Sequence, residues 1–257
     1  MEPRAAKLRL DALMVERGLV ASRERARAVI LAGDVRVNGT VVSKAGTAVA
    51  SDARLELRQP HHPWVGRGGL KLAHALATFA LDVSGSTALD IGASTGGFTD
   101  VLLARGAARV VALDVGQAQL DWKLRTDPRV VCLEGINARY LTADQLPADA
   151  RAFDIVTIDV SFISLRHILP VVPALLRPGG RVVVLVKPQF EAGRDDVGKG
   201  GIVRDPAIHA RVVEAVTDAA HQIGLLRQAL VPSPIAGAEG NVEFLMLLSR
   251  VPETGTV

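Results

Sequence analysis

The sequence predicts an α/β fold: a doubly wound sheet of seven strands, preceded by a small α+β domain. Three observations predict it. From Ser86 onward, short apolar runs alternate with helical periodicities, the pattern of repeated strand–helix units. The first of these runs ends at Asp90 and passes through a glycine-bearing turn, Gly92-Ala93-Ser94-Thr95-Gly96-Gly97, into a helical stripe of Phe98, Val101, Leu102 and Leu103. The first 60 residues differ in kind, with two short helical stripes, an Asn-Gly turn and short β-type runs.

In the N-terminal part, residues 8–18 read as a short helix, with Leu10, Leu13 and Met14 on one face and Gly18 as its stop. Ser22 caps a second helix reaching about Ala32, where Ala26, Val29 and Ile30 form the apolar stripe. Val35-Arg36-Val37 and Thr40-Val41-Val42 flank Asn38-Gly39, the pair that two-residue hairpin turns favour because both positions need positive φ. Two more strands are expected near 47–49 and 54–57. This module carries Arg9, Arg23, Arg25, Arg27 and Arg36, and Arg67 at the next helix is counted with them. Residues 60–66, broken by two prolines and a glycine, read as a linker, so the domains divide as 1–59, 60–66 and 67–257.

A helix containing Leu70, Leu72, Leu76 and Phe79 leads into the sheet. Strands are expected at 86–91, 110–114, 129–133, 153–159, 181–187, about 225–231 and 243–248. Residues 191–205, charged and glycine-rich, read as a mobile loop able to act as a lid over the sheet edge.

Composition narrows the class. The 257 residues are 49% hydrophobic, enough for a sizeable core. The single cysteine, Cys132, permits no internal disulfide framework and suits a reducing cytoplasm. The charged N-terminus has no signal-peptide character, and no apolar run is long enough to span a membrane. Residues 1–60 hold 11 Lys and Arg against 7 Asp and Glu, so the +3 of the whole chain is concentrated there. A local basic excess points to nucleic acid.

In open parallel sheets, ligands bind beyond the carboxyl ends of the strands. Asp90, Asp114, Asp159 and Lys187 all fall at such ends, and Asn137 follows the third strand. The spacing Gly-x-x-x-Gly-Gly is not the dinucleotide fingerprint. An acidic residue before the turn suits a nucleoside bearing an amino acid, with Asp90 near its ammonium. Asp114 lies 22 residues after Gly92, near the separation at which a carboxylate reaches ribose hydroxyls. Lys71 sits in the first turn of its helix, where the dipole disfavours a cation, and Glu243 opens the last strand. An antiparallel last strand brings Glu243 to the same edge. Two lysines and two carboxylates, with no histidine and cysteine spacing for a metal, suit proton handling at a hydroxyl.

Arg-Leu-Asp-x-x-Leu followed by Ser-Arg-x-x-Ala-x-x-x-Ile-x-x-Gly-x-Val-x-Val-Asn-Gly resembles the alpha-L RNA-binding motif over residues 8 to about 55. That resemblance implies that the arginines face RNA phosphates. The order Lys71, Asp159, Lys187, Glu243 is similar to the catalytic tetrad of FtsJ-like ribose 2′-O-methyltransferases, and Asp-Ile-Gly-Ala-Ser-Thr-Gly-Gly-Phe-Thr-Asp resembles their cofactor loop. With Val-Gly-Arg-Gly-Gly-Leu-Lys, Val-Lys-Pro-Gln-Phe-Glu and Ser-Pro-Ile-x-Gly-x-x-Gly-Asn-x-Glu-Phe, the chain from residue 7 to about 249 looks like the TlyA (hemolysin A-like) family. The resemblance implies a Rossmann-like methyltransferase sheet and S-adenosyl-L-methionine-dependent 2′-O-methylation of cytidine in ribosomal RNA, of the large subunit and in some members the small. It assigns catalysis to Lys71, Asp159, Lys187 and Glu243. It assigns the cofactor to Asp90, Gly92, Ala93, Ser94, Thr95, Gly96, Gly97, Phe98, Asp114, Val115, Asn137 and Asp159. The competing expectations are a membrane-active hemolysin, an RNA-binding protein that keeps the fold without catalysis, and methylation of a base or small molecule.

Overall fold

The computed structural model describes residues 7–20, 22–31, 33–57, 62–237 and 240–250. The chain divides into two compact units, residues 1–67 and 68–257.

The first unit contains β1 (Lys7–Arg9), α1 (Leu10–Glu16), α2 (Arg23–Leu31), β2 (Val35–Val37), β3 (Thr40–Val41), β4 (Ala48–Ala50) and β5 (Leu55–Leu57). Residues 7–9 are not the start of a helix, as periodicity suggests. They pair antiparallel with β4, and this pairing holds the backbone extended until Leu10. Asn38 and Gly39 turn between β2 and β3 with φ of 50° and 83°, the left-handed conformation expected of that pair. Asn38 also accepts from the Arg54 amide at 2.9 Å, tying the turn to the segment entering β5. Leu10, Leu13, Met14, Ala26, Ile30 and Val35 form the core, each at most 2% exposed. The apolar stripes of both helices therefore face inward as read.

The second unit opens with α3 (Gly68–Thr78) and continues through β6 (Thr87–Ile91), α4 (Gly97–Ala104), β7 (Arg109–Asp114), α5 (Trp122–Arg125) and β8 (Val130–Glu134). Then come β9 (Phe153–Ile158), β10 (Leu176–Val186), α6 (Pro188–Glu191), α7 (Pro206–Gln222), β11 (Leu225–Pro232) and β12 (Phe244–Arg250). The seven strands lie in the order β11-β12-β10-β9-β6-β7-β8. β12 runs antiparallel between β10 and β11, and the remaining neighbours pair in parallel. Because the chain runs from β6 to β7 in one direction and returns to β9 in the other, the switch point lies between β6 and β9, where a ligand crevice is expected. The strands flanking it are near-continuous apolar runs, as burial on both faces requires. Leu89, Ile91, Val156, Ile158, Val182 and Val184 are at most 0% exposed and belong to the main core.

β10 is longer than expected. It begins at Leu176 and crosses Pro178-Gly179-Gly180 with a register shift against β9 between Leu176 and Arg181. Proline and glycine in a strand mark such irregularities.

Candidate active site

The turn after β6 is built by close packing. Gly92 has φ +84°, and a Cβ placed on it would stand 2.3 Å from the backbone oxygen of Asp159. Glycine therefore lets the turn lie directly against the end of β9. Gly96, with φ +97°, is the N-cap of α4, which carries no side-chain cap among the described residues. The first N–H groups of such a helix have no intrahelical partner and suit a carboxylate or phosphate. Gly92, Ala93, Ser94, Thr95, Gly97 and Phe98 line one wall of a cavity of about 180 Å³; Gly68, Asp159, Ser161 and Lys187 line the rest.

The two lysines and two carboxylates form two ion pairs. Lys71, from the first turn of α3, donates to Glu243, which precedes β12; they are 8% and 3% exposed. The antiparallel direction of β12 is what returns Glu243 to the edge where the parallel strands end. Gly237 makes room for it, since a Cβ there would meet Glu243 Oε1 at 2.6 Å. Lys187, following β10, stands 2.6 Å from Asp159 Oδ1 and donates to Ser161 Oγ at 2.9 Å. The approach to Oδ1 is an ion contact outside hydrogen-bond angles. Burial pushes the Asp159 carboxyl up, but the cations of Lys187 and then Lys71 outweigh it and hold it below its ordinary value. Lys71 is thus electrostatically coupled to the second pair.

Sequence reasoning missed two neighbours. Ser161 Oγ accepts from Lys187 Nζ, and Phe162 beside it is 92% exposed with φ +65°. An aromatic residue in that region is an outlier, and such strain clusters at functional sites. Its ring lies 5.2 Å from that of Phe190, over which Lys187 Nζ stands at 5.9 Å. The signal available was Ser161-Phe162 two residues after a strand-ending carboxylate, in Asp159-Val160-Ser161-Phe162.

Asp90 requires a correction. Rather than facing a ligand, its carboxyl is 0% exposed and accepts from Thr99 Oγ1 at 2.7 Å and Thr157 Oγ1 at 2.9 Å. Burial above all, with the nearby Asp159 charge, pushes it up to about 7, against the two threonine bonds that favour its charged form. It ties β6 to α4 and β9 beneath the turn. Asp114, at the end of β7, accepts from the amides of Ser94 at 2.8 Å and Gly116 at 2.7 Å. Val115 beside it is 69% exposed. Asn137 is exposed and accepts from the Arg139 amide at 3.0 Å, capping a short 3-10 helix at Ala138–Tyr140.

The expected lid is held down. Asn241, 1% exposed, donates to Gly201 O and accepts from Val203 N, both at 2.9 Å. His209 Nε2 donates to Val203 O at 2.9 Å. Among the described residues no group of three His, Cys, Asp or Glu is placed to hold a metal ion.

In the first unit, Arg9, Arg23 and Arg27 converge on Asp11, a residue not singled out from sequence. Arg36 is exposed and donates to Gly39 O at 3.1 Å within its own hairpin. Arg67 is half-buried, its Nη1 3.6 Å from the Cβ position of Gly33. The side chain of Arg25 lies outside the described residues.

A seven-stranded sheet with one antiparallel strand, and a glycine cavity at its switch point, define a methyltransferase that uses S-adenosyl-L-methionine. The FtsJ-like methyltransferase model matches residues 64–250 and the S4 domain model matches residues 8–55. The chain belongs to the FtsJ-like methyltransferase family and carries an S4 domain ahead of the catalytic one. It is 47% identical over 245 residues to the Mycobacterium tuberculosis 16S/23S rRNA (cytidine-2′-O)-methyltransferase TlyA, covering 95% of this chain and 90% of that one. It is 40% identical over 242 residues to Hemolysin A of Brachyspira hyodysenteriae, covering 93% and 98%. A solved Streptococcus thermophilus structure described as a hemolysin superposes with a TM-score of 0.74 at 45% identity, over 97% of this chain and 92% of that one. No helix among the described residues is long and apolar enough to cross a membrane.

Proposed function

We propose that this chain methylates the ribose 2′-oxygen of a cytidine in ribosomal RNA within ribosomal subunits, in the cytoplasm. The observation that carries the reading is the two ion pairs, Lys71–Glu243, which is buried, and Lys187–Asp159, which is partly exposed on the wall of the glycine cavity.

The residues present fit the cofactor. The uncapped start of α4 suits its carboxylate, and Gly92, Ala93, Ser94, Thr95, Gly96, Gly97 and Phe98 leave room for its methionine part. Asp114 with Val115 suits the ribose and Asn137 the adenine side. Bound S-adenosyl-L-methionine supplies a methyl group on a sulfonium, open to displacement by oxygen.

A ribose hydroxyl is a weak nucleophile, and an adjacent ammonium lowers its pKa while a neutral amine accepts its proton. Lys187 is the residue that steers the hydroxyl and manages that proton. Asp159 and Ser161 both contact its amine, so its position is set before substrate arrives. Glu243 holds Lys71, whose charge stabilises ionised Asp159. Phe162 offers an exposed ring on which an unstacked base can lie. Residues 1–59 act as the RNA-docking domain through Arg9, Arg23, Arg25, Arg27, Arg36 and Arg67, residues 60–66 as the linker, and residues 67–257 as the catalytic domain.

Incubation with separated large and small ribosomal subunits and isotopically labelled cofactor, followed by nucleoside mass analysis, tests the reading. The expected product is 2′-O-methylcytidine in large-subunit RNA. Label on a base, or in neither subunit, overturns it, and lysis of membranes by a protein lacking Lys187 and Asp159 would favour the hemolysin reading.

A further inference from the structure

Asp11 is the second residue of α1 and is 0% exposed, yet it is charged. A buried carboxylate is costly unless paired. Its partners come from two elements. Arg9, ending β1, donates Nε to Oδ1 and Nη2 to Oδ2, both at 3.0 Å, a bidentate fork. Arg23 and Arg27, one helical turn apart on α2, reach Oδ2 at 3.1 and 3.5 Å. The three guanidinium side chains remain 50–54% exposed. Gly46 gives Arg9 its path, since a Cβ there would stand 3.2 Å from Arg9 Nη1.

Three cations held this close repel one another, and long arginine side chains lose rotamer freedom when a ligand fixes them. One buried negative charge beneath them offsets the repulsion and removes that ordering cost in advance. The arrangement keeps a cationic excess facing outward, matched to phosphate, which accepts from guanidinium forks.

We propose that Asp11 is the positioning residue of the RNA-docking face, holding Arg9, Arg23 and Arg27 as one preformed clamp for backbone phosphates. The proposal rests on the reading of residues 1–59 as an RNA-docking domain. Asp11 touches no RNA; it acts through the arginines. The consequence runs against simple electrostatics. Asp11→Asn makes this surface more positive by one charge, which by itself strengthens RNA binding and steepens its salt dependence. Loss of positioning does the opposite.

The test measures binding of the full chain to large ribosomal subunits between about 50 and 200 mM salt, together with KM and kcat for methyl transfer. Asp11→Asn is expected to weaken binding about tenfold, the scale of one lost charge-assisted bond. It should also flatten the salt dependence and raise KM while leaving kcat near the parent value. In a background with Arg9, Arg23 and Arg27 all replaced by alanine, Asp11→Asn should have no further effect, because the residue then has nothing to position. Binding by Asp11→Asn as tight as the parent's overturns the proposal, as does a loss that persists undiminished in the triple-alanine background. Should Asp11→Asn fail to fold, Asp11→Glu, which keeps the charge but shifts the carboxylate, is read by the same criteria. If the triple-alanine variant itself binds like the parent, the RNA-docking reading falls, and Asp11 with it.

Discussion

A carboxylate at the end of a buried strand looks the same in sequence whether it meets a ligand or the core. Asp90 and Asp159 end neighbouring strands and have opposite fates. Asp159 faces two lysines, which keep it ionised. Asp90 has two threonine hydroxyls and a raised pKa of about 7. Because the folded value lies above the ordinary 3.8, the native state binds this proton more tightly than the unfolded chain. Its contribution to stability is therefore fully present below pH 3.8 and is lost as pH rises through about 7. Asp90→Asn removes the titration while keeping a side-chain oxygen for the threonines. Thermal melts of the two proteins from pH 5 to 8 should find the Asn variant gaining on the parent as pH rises. A difference in melting temperature that is constant across that range would contradict the assignment. The pattern Asp-x-Gly pointed to a functional turn; it carried no information on side-chain direction, which Thr99 and Thr157 decide.

Elements whose signal is local were legible. The Asn38-Gly39 hairpin and the helix after Gly96 stand where their turn chemistry puts them. The sheet strands also follow the apolar runs, with ends displaced by a residue or two. The exceptions depend on distant partners. β1 forms because residues 48–50 pair with it, and β10 extends back through Pro178 because Leu176 pairs with Phe153. The 191–205 segment has the composition of a lid, yet Asn241, about forty residues on, fastens it at Gly201 and Val203. Truncating Asn241 to alanine leaves the Val203 amide and the Gly201 carbonyl without these partners. Asn241→Ala should cost about 1–3 kcal/mol and speed amide exchange across 198–203. Unchanged exchange in that segment would mean that other contacts hold it.

At the scale of the molecule, the chain separates two kinds of work by composition. Its basic excess lies in the first 60 residues, and the two lysine–carboxylate pairs proposed for catalysis lie beyond residue 67. The four residues of those pairs are spread over 172 positions, from Lys71 to Glu243. Their convergence was legible only through the resemblance and the expectation of an antiparallel last strand; which lysine pairs with which acid was not. The central claim is that Lys187, fixed by Asp159 and Ser161, manages the proton of the ribose hydroxyl. The most direct test is the single-turnover rate of methyl transfer to large ribosomal subunits by Lys187→Ala, with both cofactor and subunits saturating. The account predicts a fall of about 10²–10⁴-fold with cofactor affinity close to the parent's; a rate equal to the parent's would contradict it.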